Sequence, residues 1–398
     1  MKYWLKNLYI LWFGCFVAAT SYTLVVPFLP LFLKEVNVTT GVEAWAGLML
    51  SSSFLTSALL SPVWGSLADR YGRKVMVVRS GIGMGIVYML QYFVTNPYQL
   101  LALRSANGLF SGFNPASSAL IATNTPEENI GPCLGIIQTA SAAGTIMGPV
   151  IGGIMAQMFG YRETFLLAGA ILLAATLVVL VAVKEVAEHK PDARVHVLAD
   201  LRIAASNRSL RMVLLTSAFV QSALTILQPV LSLQIAKLGQ AETASLAAGA
   251  VYSAAGFATV LGAPLWARRG ERIGYKTVLV IGLLGAGLFN IPQAFVRNIY
   301  TFGAFRFIVG LATSGVALSV NAIVAKSVGS EFRGRAFGIL NSANQFGSMF
   351  GPMVGGLVGT AFGLEPTFAV AAGMLLAASF ATSRFLPRDA RVHSEITA

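Results

Sequence analysis

Long apolar runs, separated by short charged or Gly/Pro-marked breaks, fill this chain almost from end to end. Leu8 to Leu33, Trp45 to Leu67, Val75 to Val94 and Phe165 to Val183 each approach or exceed the ~20 residues a helix needs to cross a bilayer. Continued along the chain, the pattern predicts six such segments in the first half, at 8–33, 45–67, 75–94, 98–122, 131–157 and 162–183. Six more follow at 209–236, 244–267, 277–296, 299–325, 334–359 and 365–386. The expected fold is an all-α membrane protein with twelve transmembrane helices. One long polar stretch interrupts them, with Lys184, Glu185, Glu188, His189, Lys190, Asp192 and Arg194 among its charged and basic residues. It divides the chain into an N-terminal bundle at 1–184, a linker at 185–208 and a C-terminal bundle with a short tail at 209–398.

The two halves are copies. Shifted by 202 residues, Pro27 falls on Pro229, Pro62 on Pro264, Trp64 on Trp266, Arg70 on Arg272, Gly72 on Gly274 and Arg104 on Arg306. After a slip of one residue, Gly144, Gly148, Pro149, Gly152 and Gly153 fall on Gly347, Gly351, Pro352, Gly355 and Gly356. Chance does not hold register over that length for such residue types. The architecture expected is two homologous six-helix bundles.

Composition agrees. The chain is 56% hydrophobic and only 11% charged, where a soluble protein carries roughly 25% charged residues. The net charge of +12 would suggest nucleic acid if it were not so unevenly placed. With the N-terminus in the cytoplasm, all but six Lys and Arg lie on cytoplasmic segments. Lys34, Arg162, Lys237 and Arg297 lie on the opposite side, and Arg104 and Arg306 lie within the membrane. That asymmetry orients helices in a bilayer; it places both termini inside and removes the need for a nucleic-acid partner. Lys2 and Lys6 precede an apolar run too long for a cleaved leader, so the first segment reads as a retained helix. Cys15 and Cys133 suffice for neither a metal site nor a disulfide framework. No phosphate-binding loop of the G-x-x-x-x-G-K-[ST] type occurs, which argues against self-contained ATP-driven pumping, and no cofactor is expected. No nucleophile–base pair or metal cluster lies in the spans, so an enzyme is not expected.

Three motifs carry chemistry. Gly65 to Lys74 read G-S-L-A-D-R-Y-G-R-K between the second and third segments. Gly65 permits close helix approach, Asp69 can face the positive end of a helix, and Gly72 turns the chain. Arg70, Arg73 and Lys74 put positive charge at the interface. The copy at Ala267 to Lys276 is weaker. Arg104 lies inside the fourth segment, where an unpaired charge costs from ~3 to over 10 kcal/mol; it faces the bundle interior or a cavity, or snorkels to the interface. In the fifth segment Gly144, Gly148 and Gly152 stand four apart, a smooth stripe for a neighbouring helix. Gly153 follows, and Pro149 frees a backbone carbonyl. Pro27 and Pro30 break the first segment near its outer end.

These residues resemble the major facilitator superfamily. The Gly65–Lys74 segment matches its loop signature G-x-L-a-D-r-x-G-r-k almost throughout, and Arg104 resembles the arginine of its R-x-x-Q-G motif, with Asn107 in place of Gln. The start N-L-x-x-x-W-F-G-C-F, the run V-V-P-F-L-P-L and the segment A-L-I-A-T resemble the MdtG-like multidrug efflux subgroup of its drug/proton antiporters. The resemblance implies that Gly65, Asp69, Arg70, Gly72, Arg73 and Lys74 form a cytoplasmic latch and that Arg104 takes part in proton coupling. It also implies that the Gly144–Gly153 motif is of the antiporter type. The implied function is alternating-access export of drug-like amphiphiles in exchange for protons, by a monomer in a bacterial inner membrane. Alternatives are a dedicated metabolite, sugar or polyamine exporter of the same fold, or a lipid translocator.

One absence complicates coupling. None of the sixteen Asp and Glu falls at mid-membrane by these spans, whereas proton-coupled transporters ordinarily use a buried carboxylate or His. Besides Arg104, the remaining coupling candidates are Asp69, Glu127 and Glu128, with Glu163 and Glu365 at outer helix ends. A cavity without fixed negative charge has no strong preference for cations. Candidates for lining it are Tyr22, Asn107, Asn114, Gln221, Gln228 and Asn321, with Gln138, Tyr252, Asn341, Asn344 and Gln345 on neighbouring segments. For each of these, a hydrogen bond between helices is an equal alternative.

Overall fold

The computed structural model describes residues 3–186, 206, 208–239, 243–328 and 333–386. The body of the linker and the C-terminal tail lie outside the described residues. Among the described residues all regular structure is helical. The first half comprises α1 (Tyr3–Thr23), α2 (Leu29–Glu35), α3 (Val42–Tyr71), α4 (Arg73–Gln91), α5 (Pro97–Phe110), α6 (Phe113–Asn124), α7 (Ile130–Phe159) and α8 (Tyr161–Ala182). The second comprises α9 (Arg208–Thr225), α10 (Gln228–Leu238), α11 (Ala244–Ile273), α12 (Tyr275–Asn290), α13 (Ile299–Ser327), α14 (Arg333–Phe362) and α15 (Leu364–Phe385). These are the expected twelve segments, with the first, fourth and seventh each broken in two.

Two of the breaks are repeat mates. Proline cannot supply the N–H of a continuing helix, so Pro27 and Pro229 mark equivalent interruptions, α1 to α2 and α9 to α10. In both, the proline that follows the break, Pro30 or Pro229, sits in the first turn of the new helix, where its missing N–H costs nothing.

The third break departs from the continuous 98–122 segment that the apolar pattern predicts. α5 ends at Phe110, and Gly112 adopts a φ of +120°, a conformation that favours glycine. Three successive carbonyls at the break are taken up by side chains. Trp64 Nε1 donates to Leu109 O at 2.9 Å, Ser80 Oγ to Phe110 O at 2.7 Å and Arg79 Nη2 to Ser111 O at 3.1 Å. The Arg79 guanidinium also lies over the Trp64 ring, 3.6 Å from its centroid. In the second half only the tryptophan is kept, with Trp266 Nε1 donating to Leu311 O at 2.8 Å. Ile281, Gly282 and Ser314 stand where Arg79, Ser80 and Gly112 do, and α13 runs unbroken.

Contacts group the chain into two compact units. One comprises Met1–Val197, Thr225–Ser253 and Ser348–Thr367; the other comprises Leu198–Leu224, Ala254–Gly347 and Phe368–Ala398. The first is centred on Leu8, Leu11, Leu29, Leu172 and an aromatic cluster of Phe28, Phe32, Tyr161 and Phe165 with centroids 5.2–6.2 Å apart. The second is centred on Leu210, Leu279, Leu283, Val324 and Leu375. Leu59, Leu177, Val181, Leu261 and Phe380 lie exposed on helix surfaces, as a surface facing lipid requires. By length and apolarity alone, eight stretches of helix can cross a membrane. The first and fourth segments are broken, and the third and eleventh carry basic and polar side chains.

Candidate functional site

At the helix ends remote from the N-terminus, the first unit is closed by a set of contacts that the duplication makes twice. Ser51 Oγ on α3 donates to Met349 O on α14 at 2.6 Å. Its repeat mate Ser253 on α11 donates to Ile146 O on α7 at 2.5 Å. A Cβ on Gly47 would come well under 3.0 Å from Pro352 O, and one on its mate Gly249 equally close to Pro149 O. Gly153 meets Ser245 O and Gly356 meets Glu43 O in the same way. Helix pairs α3–α14 and α11–α7 therefore touch backbone to backbone, and only glycine admits that separation. Ala44 N donating to Thr360 Oγ1 at 3.1 Å and a Tyr161–Ser245 hydroxyl pair at 3.1 Å add to the closure.

The glycine motif of α7 serves two partners. Gly144, Gly148 and Gly152 face Phe16 O, Thr23 and Leu24 O of the first segment, and Thr23 Oγ1 donates to Gly144 O at 3.2 Å. Gly153, one position off that stripe, faces α11 instead. The second copy repeats this: Gly347 and Gly355 face Ala218 O and Ile226 O, while Gly356 faces α3.

Ion pairs tie down the same end. Arg162 Nε pairs with Glu35 Oε1 at 3.0 Å, and Lys237 Nζ with Glu365 Oε1 at 2.5 Å. In the repeat Glu35 corresponds to Lys237 and Arg162 to Glu365, so the same pair is made with its charges exchanged. Arg162 Nη1 also donates to Tyr92 O at 2.8 Å and Val94 O at 2.7 Å.

Deeper in the first bundle lies a polar cluster around Arg104. Arg104 and Tyr88 are 0% exposed and Asn107 is 1% exposed. The Tyr88 hydroxyl faces both Arg104 and Asn107, and Tyr22 is within electrostatic reach of Arg104. Beyond one another, Arg104 Nε, Nη1 and Nη2, Tyr88 Oη, and Asn107 Nδ2 and Oδ1 are buried without a hydrogen-bond partner among the described residues. Arg104 enters none of the ion pairs among the described residues. Its backbone is firmly held: Ser53 Oγ donates to Arg104 O at 2.7 Å, Thr56 Oγ1 to Ser105 O at 2.8 Å, and Gly108 lies against both side-chain-bearing positions. Tyr22 is half-buried and packs edge-on against Phe54, with centroids 6.1 Å apart. Arg306, the repeat mate, is partly exposed.

At the opposite end, Gly72 is buried with φ +101° and caps α4. The Glu185 carboxylate accepts from Arg73 N at 2.9 Å and Lys74 N at 3.0 Å, so it occupies the positive end of α4. Sequence reading had left Glu185 among the charges of the linker; its position directly after an apolar segment was the available signal. Asn7 binds both Lys184 N and O, and Asn124 Oδ1 accepts from Val186 N at 2.8 Å, which fixes the chain as it leaves α8. Arg70 is exposed beside Tyr71, and Arg73 and Lys74 are half-buried; a Cβ on Gly65 would meet no other helix within 4 Å among the described residues, so the close approach expected of it is not made here. The Asp69 side chain lies outside the described residues.

The other sequence candidates are scattered. Asn114 Nδ2 donates to Ser141 Oγ at 2.9 Å, Ser217 Oγ donates to Asn344 Oδ1 at 2.6 Å, and Tyr252 Oη donates to Gln228 O at 3.0 Å. These are ties between helices. Gln221 and Gln228 are half-buried, while Gln138 and Asn321 are exposed. Glu127 and Glu128 are exposed in a 3₁₀ turn between α6 and α7. A lateral apolar groove of about 840 Å³ is lined by Val75, Ile82, Leu103, Phe110 and Leu180, with Lys74 and Arg79 in its wall. It shares no lining residue with the Arg104 cluster. Among the described residues no group of His, Cys, Asp and Glu could hold a metal.

The fold is that of solved membrane transporters. A bacterial homolog of the human lysosomal transporter Spinster, in an inward-facing and occupied conformation, superposes with a TM-score of 0.82 at 16% identity, covering 97% of this chain and 98% of that one. The nucleoside transporter NupG superposes with a TM-score of 0.77 at 16% identity, covering 96% and 98%. The fold class is therefore a helical membrane protein of two six-helix bundles. In sequence, the Major Facilitator Superfamily pattern matches residues 11–259 and 213–398. Multidrug resistance protein MdtG of Citrobacter koseri is 34% identical over 379 residues, covering 94% of this chain and 93% of that one. The Klebsiella pneumoniae protein of the same name is 34% identical over 398 residues, covering 98% and 96%. The chain belongs to the major facilitator superfamily.

Proposed function

We propose that this transporter exports drug-like amphiphilic compounds across a bacterial inner membrane by alternating access, in exchange for protons and as a monomer. The name shared by the MdtG relatives supports multidrug export. The distribution of Lys and Arg supports cytoplasmic termini. On that topology the doubled contacts of Ser51 and Ser253 lie at the outer face, and this closure is the observation that carries the reading. A transport cycle must open and close such an end once per turnover, and rocking of bundles 1–184 and 209–398 about a central site would do so. The linker 185–208 connects them.

In this reading the Gly65–Lys74 loop, with Asp69, Arg70, Gly72, Arg73 and Lys74, is the cytoplasmic latch of the opposite state. The Gly144–Gly153 motif forms part of the outer seal. Arg104 is the residue that links proton movement to substrate. Asp69 stays a candidate proton carrier. The exposure of Glu127 and Glu128 in a surface turn argues against their titrating with cavity opening.

The test is proton release from acidified inside-out vesicles on addition of compounds, comparing the wild type with Arg104→Ala. Compound-triggered alkalinisation of the lumen, lost in the variant, is expected. Uptake of compounds without proton movement would overturn the exchange.

A further inference from the structure

We propose that Arg104, Tyr88 and Asn107 form a binding site for a small anionic group, with a carboxylate as the chemistry that fits best. A guanidinium stays charged at any accessible pH, and a buried charge persists only when paired or hydrogen-bonded. Arg104 is 0% exposed, and among the described residues its Nε, Nη1 and Nη2 meet no charged acceptor and no well-formed hydrogen bond, the Tyr88 hydroxyl being the neutral group beside it. The adjacent Tyr88 hydroxyl and Asn107 amide are equally buried, and among the described residues they find no polar group outside this cluster. Three side chains from α4 and α5 thus present donors toward one another with no acceptor that carries charge.

The other arginines in this bundle show what the fold does when it intends only structure. Arg79 donates Nη2 to Ser111 O and lays its face on Trp64, although its Nε and Nη1 find no partner among the described residues. Arg162 has Glu35 and two backbone carbonyls. Among the described residues Arg104 has neither a carboxylate nor a backbone carbonyl, although Ser53 and Thr56 hold its helix in place. The partner must bring its own negative charge, and the planar fork of a guanidinium selects a planar, bidentate acceptor. Half-buried Tyr22 lies within electrostatic reach of Arg104 and Tyr88 and packs edge-on against Phe54, which is half-buried too. An apolar body attached to the acid would lie there.

The same chemistry could come from the acid group of a transported compound or from a free inorganic anion. In the first case the site deepens the export reading, and rests on it, by making acidic amphiphiles preferred over amines.

The experiment measures binding to the purified full chain in detergent, by saturable shift of the thermal unfolding midpoint at constant ionic strength. The probes are 2-naphthoate, its uncharged carboxamide, and chloride replacing sulfate. Saturable stabilisation by naphthoate, absent with the carboxamide, is expected, and it is lost in Arg104→Gln. Arg104→Lys, which keeps the charge but not the fork, is expected to bind about tenfold more weakly. Stabilisation by chloride with no further effect of naphthoate would still support the site and assign it to a free anion. Equal binding of naphthoate and its carboxamide, no binding by either anion, or wild-type affinity in Arg104→Gln would overturn it. Should Arg104→Gln fail to fold, Tyr88→Phe and Asn107→Ala decide: both must weaken naphthoate severalfold, and unchanged affinity in both overturns the site. Because binding is read without transport, failure of proton exchange leaves this result standing, and the converse holds.

Discussion

Ser51 and Ser253, 202 residues apart in the chain, make the same hydrogen bond in the two halves of a duplication, to Met349 O at 2.6 Å and Ile146 O at 2.5 Å. Around them Gly47 and Gly249 meet Pro352 O and Pro149 O, and Gly356 and Gly153 meet Glu43 O and Ser245 O. This is why the second half keeps a complete copy of the glycine–proline motif. One face of each copy packs its own bundle, and the residue just off that face closes the helix ends remote from the N-terminus.

Loss of the serine hydroxyls should loosen the closure in graded fashion. Each of Ser51→Ala and Ser253→Ala removes about 0.5–1.5 kcal/mol from the closed form. The double variant should show their sum, because the sites share no partner. Gly47→Val or Gly249→Val should be far worse, since backbone stands where the new side chain must go. Labelling of a single cysteine introduced near the outer end should speed up in that order, and transport should fall severely only in the valine variants.

The break in the fourth segment should depend on its side-chain caps. Ser80→Ala and Arg79→Leu each strand a buried carbonyl, at about 1–3 kcal/mol. Gly112→Ala forces a side chain into φ +120°, at roughly 1–3 kcal/mol. Ser314→Gly, at the equivalent position of unbroken α13, should cost only about 1 kcal/mol. Thermal unfolding of the purified variants checks the order.

Glu185 should behave as a helix cap. Glu185→Ala removes both the acceptors and the charge at the start of α4 and should cost about 0.5–2 kcal/mol. Glu185→Gln keeps one acceptor and should cost less. Equal stability of Ala, Gln and wild-type proteins would contradict the assignment.

The two charge-exchanged ion pairs should differ in weight. Lys237 is 60% exposed and among the described residues binds Glu365 alone, so Lys237→Ala should change stability by about 0–1 kcal/mol. Arg162 is 28% exposed and also holds two carbonyls, so Arg162→Ala should cost more, about 1.5–3 kcal/mol. Unfolding of the two variants side by side decides.

Much of the fold was legible because its signals are local and physical. Segment length, charge asymmetry and the register of Pro, Gly, Trp and Arg gave twelve segments in two copies. Pro27 and Pro30 announced the first break, whereas 209–236 was read as continuous although Pro229 is the repeat mate of Pro27. The third was not legible: Ser111 and Gly112 interrupt nothing by themselves, and only Trp64, Arg79 and Ser80, 30 to 45 residues away, make the broken form stable. Glu185 looked like linker charge because the helix end it caps lies 111 residues earlier. Arg104 was conspicuous as a charge among apolar residues, but its lack of a counter-charge is a property of the packed bundle. Glu35 and Lys237 carry opposite charges at mated positions, so the repeat register alone did not reveal their shared role.

The most direct test of the account is to lock the closed end. Ala44 and Thr360 approach closely enough for the Ala44 amide to bond the Thr360 hydroxyl at 3.1 Å. A chain carrying Ala44→Cys and Thr360→Cys, with buried Cys15 and Cys133 left in place, can be oxidised to join α3 to α14. Transport in vesicles should stop on oxidation and return on reduction, since the outer end would no longer open. Undiminished transport by the fully crosslinked protein would contradict alternating access through this seal.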